Sequence, residues 1–60
     1  MTTEEREDWL TLIAEERKAE ALRDRVAALE QTGDKVPREL LLAAMRAARE
    51  ATVRRNRLTS

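Results

Sequence analysis

Apolar residues in the first half of the chain return at alternating steps of three and four: Leu12, Ala19, Leu22, Val26 and Leu29, with Glu15 at the one polar place. That spacing lines a single face of an α-helix. The second half repeats the rhythm at Leu40, Ala44, Ala47, Ala51 and Leu58, with Arg54 or Arg55 at its polar place. Between the two series lies one break, Thr32-Gly33-Asp34-Lys35-Val36-Pro37. The pattern predicts an all-α fold: a helix over about 3–31, a turn over 32–36 and a helix over about 37–57. Residues 1–60 then form one antiparallel two-helix hairpin.

Local signals agree with those boundaries. Thr2-Thr3-Glu4-Glu5 reads as a capping box, in which the Thr2 hydroxyl and the Glu5 carboxylate satisfy each other's orphan amides. Glu4, Glu5, Glu7 and Asp8 put negative charge at the positive end of the first helix. Gly33 supplies the left-handed residue that commonly closes a helix. Pro37 suits the first turn of the second helix, with Glu39 close behind. Arg54, Arg55 and Arg57 suit its negative end, and Leu58-Thr59-Ser60 is expected to fray.

Folding about the turn pairs positions whose numbers sum to about 69 or 70. Leu29 meets Leu40, Val26 meets Ala44, Leu22 meets Ala47 or Ala48, and Ala19 meets Ala51. The two polar places coincide, so Glu15 falls opposite Arg54 or Arg55. A Glu15–Arg55 pair is expected to fix the register more than it adds stability, because desolvating two ions offsets much of their attraction.

Two features remain uncovered. The second helix carries another apolar row, Leu41, Met45, Ala48 and Thr52, widened by Leu42 and Val53. It is apolar over more of its circumference than one partner helix covers. The first helix, longer by about eight residues, carries Trp9 and Leu10 beyond the reach of the second. Size makes both matter. Of 25 apolar residues in 60, ten are Ala, leaving fourteen larger side chains besides Met1. A chain this short, with no Cys or His to hold a disulfide or a zinc ion, rarely offsets its folding entropy alone. Self-association is expected: a homodimer of hairpins forming a four-helix bundle, with coiled-coil-like packing. On this expectation Leu41, Met45, Ala48 and Thr52 are the dimer interface. The same row also fits a groove for a different helix.

Charge changes the picture of partners. Net charge is zero, yet residues 1–31 hold nine acids against five bases, and residues 32–60 three against seven. The halves can neutralise one another, whereas a nucleic-acid module shows an uncompensated basic face. Arg46, Arg49 and Arg57 lie off the predicted seam and are the candidate phosphate contacts, although compensation of the helix dipole and of the acidic helix is the favoured account of the basic arm. Trp9, the sole aromatic, is either an end-of-core residue packed on Leu58 or a dimer mate, or an anchor for another protein with Leu10 and Ile13 beside it. No apolar run approaches the ~20 residues of a membrane span, and the acidic N-terminus lacks the regions of a secretory signal. A cytoplasmic protein is expected.

Catalysis has little to stand on. The candidate carboxylates are Glu15, Glu16 and Glu20, but di-metal bundle sites add Glu-x-x-His, and there is no His. A Cys nucleophile, a Gly-rich phosphate loop and a Ser or Thr beside a base are also missing. No catalytic, metal or cofactor residue is therefore assigned, and no cofactor is expected. In length, hairpin and short connection the chain resembles the Rop family, plasmid proteins whose two-helix subunits dimerise into a four-helix bundle that engages paired RNA loops. The resemblance implies a four-helix dimer and an RNA partner; no functional motif aligns, so it implies no residue roles. The expected function is a small non-enzymatic protein-interaction module, a bacterial or phage regulator or adaptor working as a homo-oligomer. Its partners are a second copy and a further protein met by Trp9, Leu10 and Ile13. The alternative is a nucleic-acid-binding bundle using the Arg face of the second helix.

Overall fold

A computed structural model describes residues 2–60. Two helices, α1 (Thr3–Gln31) and α2 (Arg38–Thr59), fold back on one another as a hairpin 47 Å long and 15 by 13 Å across. The described residues are otherwise turn and termini, with no strand.

The break works through backbone chemistry. Gly33 takes φ 77°, and its N–H donates to the Glu30 carbonyl at 3.1 Å while the Asp34 N–H donates to Leu29 at 3.0 Å. Those two bonds satisfy carbonyls that the end of α1 would leave bare. The Thr32 hydroxyl ties the turn further, donating toward the Leu29 carbonyl and the Asp34 carboxylate. At the other end of α1, the Thr2 hydroxyl accepts from the Glu5 N–H at 3.2 Å, which is one arm of the capping box.

Helix α2 starts and ends later than its sequence pattern suggests. Pro37 precedes the helix with ψ 137°, and its carbonyl accepts from Leu40 and Leu41. It is the cap rather than a first-turn residue. The far end also persists: Thr59 is helical, its hydroxyl donates to the Arg55 carbonyl, and Leu58 is half-buried. Leu58 continues the seam, so burial against α1 holds a last turn that propensity alone would release.

The core is narrow. Leu12 is 1% exposed, and the other buried residues are Ala19, Ala44, Ala47 and Ala51. Leu22, Val26, Leu29, Leu40 and Leu58 are only half-covered. Leu12 apart, the seam closes fully only where Ala lets the backbones approach. Glu15, expected opposite Arg55, instead accepts from Arg54 Nε, and Arg55 reaches Glu16. Steps of three and of four from Ala51 both continue the seam; in the packed hairpin Arg54 turns inward, its side chain 29% exposed, while that of Arg55 stays 57% exposed. A second nitrogen of Arg54 reaches Asp8 at 3.7 Å. One guanidinium thereby joins two turns of α1.

Candidate interaction surface

The seam leaves two sides to the hairpin. On one side, an open groove of about 330 Å³ is lined by Val26, Ala27, Leu41, Ala44, Met45 and Ala48. Arg23 and Glu30 stand at its α1 rim. Nearer the middle, a smaller recess of about 150 Å³ continues along the same side, with Glu16, Ala19 and Arg23 on α1 facing Ala48, Thr52 and Arg55 on α2. Leu41, Met45, Ala48 and Thr52 are thus brought together along one edge of α2. Met45 is 68% exposed, more than any other large apolar side chain described. The Thr52 hydroxyl donates to the Ala48 carbonyl at 2.9 Å, so this polar group makes no demand on a neighbour.

The facing edge of α1 carries Glu16, Arg23, Ala27 and Glu30. Stepping back from Glu16 by three and then four residues reaches Ile13 and Trp9, on the same edge. Both are exposed. Leu10 follows Trp9 by one residue, so it points ~100° away, toward the outer surface of α1; it is 57% exposed. The trio Trp9, Leu10 and Ile13 is therefore divided. Two of its members border the Leu41–Thr52 side and one faces outward. Leu42, at 47% exposure, lies on the outer surface of α2, and Val53, at 50%, turns from there toward the opposite side of the hairpin.

The opposite side of the hairpin is basic. A recess of about 470 Å³ gathers Arg46, Arg49, Arg54 and Arg57 around Val53, with Glu15 and Glu50 among them. The three candidate phosphate contacts are brought together. Two carboxylates temper them, one of which already holds Arg54. Sequence reasoning missed Glu50 in this role, although Arg46-x-x-x-Glu50-x-x-x-Arg54 is the four-residue spacing that places charges side by side on a helix. It also missed Arg23 and Glu30 at the groove rim, where no apolar periodicity marks them.

No group of three or more metal-ligating side chains is assembled among the described residues. No helix among them is long and apolar enough to cross a membrane. No family model, curated protein or solved structure matches the chain. The likeness to Rop accordingly remains one of outline, in length, hairpin and connection.

Proposed function

We propose that this chain is a non-enzymatic protein-interaction module that works as a homo-oligomer, a small cytoplasmic regulator or adaptor of bacterial or phage type. One observation carries the proposal: among the described residues, seven large apolar side chains stay exposed around a core whose only large fully buried member is Leu12. Covering the Leu41, Met45, Ala48 and Thr52 edge adds the apolar burial that the alanine seam lacks, at ~25 cal/mol per Å². A second hairpin on that edge completes a four-helix bundle. Leu10 faces away from it and remains for another protein, with the charged flanks setting orientation and on-rate. Met45→Glu is expected to reduce the light-scattering mass from an oligomer to the single 6.9 kDa chain. An unchanged oligomer would remove the Leu41–Thr52 edge from the interface.

The basic recess supports a second function, nucleic-acid contact through Arg46, Arg49 and Arg57. Its mark is salt: each phosphate contact steepens the fall of log affinity with log salt by about 0.9 on duplex. A structured RNA probe bound with such a slope, and released by Arg46→Ala or Arg49→Ala, would support this function. Absent or salt-insensitive binding would exclude it.

A further inference from the structure

The uncovered side of the hairpin is its own complement. On α1 the edge runs from Trp9 through Ile13, Glu16 and Arg23 to Ala27 and Glu30, and its midpoint falls between residues 19 and 20. Glu15 opposite Arg54 sets the cross-seam register, so that midpoint lies level with residue 50 on α2. Residue 50 lies midway between Ala48 and Thr52, toward the far end of the Leu41–Thr52 row. Above that level stand the exposed Trp9 and Ile13, level with the last turns of α2 rather than beyond its reach; below it lies the groove lined by Ala27, Ala44 and Ala48.

We infer that the second copy docks on this side upside down, about a two-fold axis crossing the hairpin at that level. Trp9 and Ile13 of each protomer then enter the partner's groove between Val26 and Met45. The partner is a second copy of this chain, and each copy supplies the projections that the other lacks. Two observations, of shape and of size, support this arrangement. The projecting and hollow halves coincide only when the ends are reversed; with like ends together, groove faces groove and each stays unfilled, losing its contacts on one side. Charge constrains the fit. Arg23 of each copy comes level with Glu16 of the other, which Arg55 of its own chain already engages, and Glu20, on the same edge at the axis, comes level with its own counterpart. Size agrees as well. A face 47 by 15 Å offers about 700 Å² in projection, close to the ~800 Å² per partner of a stable interface. At the axis itself, Ala48 and Thr52 are small, and the Thr52 hydroxyl is already bonded within its own helix.

This inference rests on the homo-oligomer proposal, and the test separates the two. The chain has no cysteine, so Glu4→Cys and Lys35→Cys place single spin labels at opposite exposed ends. With reversed ends, Glu4→Cys labels lie ~45 Å apart along the axis in a homodimer, from about 30 residues at 1.5 Å each. An equal mixture of the two variants adds a short Glu4→Cys to Lys35→Cys distance. Trp9 emission is expected to be blue-shifted in the dimer, and Trp9→Ala to weaken association at least tenfold while Trp9→Phe retains most of it. A dimer with like ends together, or with a fully solvated indole, would overturn this arrangement and leave the homo-oligomer standing. A chain that is monomeric at every concentration, its groove left to another partner, would overturn both.

Discussion

Among the described residues Gly33 alone has positive φ, and a methyl group placed on it meets nothing within 4 Å. The cost of Gly33→Ala is thus backbone strain alone, about 1 kcal/mol, with Gly33→Asn milder. Denaturant melts at fixed protein concentration check this; a loss well beyond ~2 kcal/mol would mean that the turn makes contacts not described above. The seam ion pair behaves differently. Glu15 and Arg54 are 20% and 29% exposed, so removing one partner strands a half-buried charge. Glu15→Ala alone is expected to lose ~1–2 kcal/mol. Replacing both by Leu should return stability to near the starting value or above it. Double-mutant melts decide between them. The glycine was legible in the sequence because it is the only one in the chain. The choice of Arg54 over Arg55 was not, since steps of three and of four both continue a helical seam and only the packed geometry separates them.

Both helices were legible because twenty-odd residues of three-and-four periodicity on each side of one break leave little else for the chain to form. Their ends were less so. Pro37 fits the first turn or the cap equally by its fixed φ; the angle that follows it places it outside. The last turn of α2 holds because Leu58 reaches the seam, a tertiary effect that local propensity does not contain. Leu58→Ala is therefore expected to let residues 57–59 fray, seen as faster amide exchange there with the rest of α2 unchanged. Equal protection in both proteins would mean that side-chain bonds such as Thr59 to Arg55 suffice. The apolar rows were legible as rows, but their sides were not. Nothing in the spacing of α1 alone says that Trp9 and Ile13 share a side with Leu41 and Met45 while Leu10 does not. That relation follows from how α1 is rotated against α2, which Ala19, Ala47 and Ala51 set by drawing the backbones together.

At the scale of the whole molecule, the hairpin is mostly surface. Its core is alanine with a single fully buried leucine, so the apolar area hidden within one chain is small for the backbone entropy that folding removes. The larger residues sit where another helix layer would be. Opposite charges in the two arms attract across the seam and leave the assembly near neutral, which permits close approach of a second copy. In the proposed homo-oligomer, folding and association are one event: separating the copies would expose the same Leu41, Met45, Trp9 and Ile13 surface whose burial would sustain the helices. Sedimentation equilibrium across a dilution series, with helicity recorded by circular dichroism on the same samples, tests this coupling directly. A species of twice 6.9 kDa that loses mass and helicity together on dilution is the expected result. A fully helical 6.9 kDa chain persisting at micromolar concentration would contradict it.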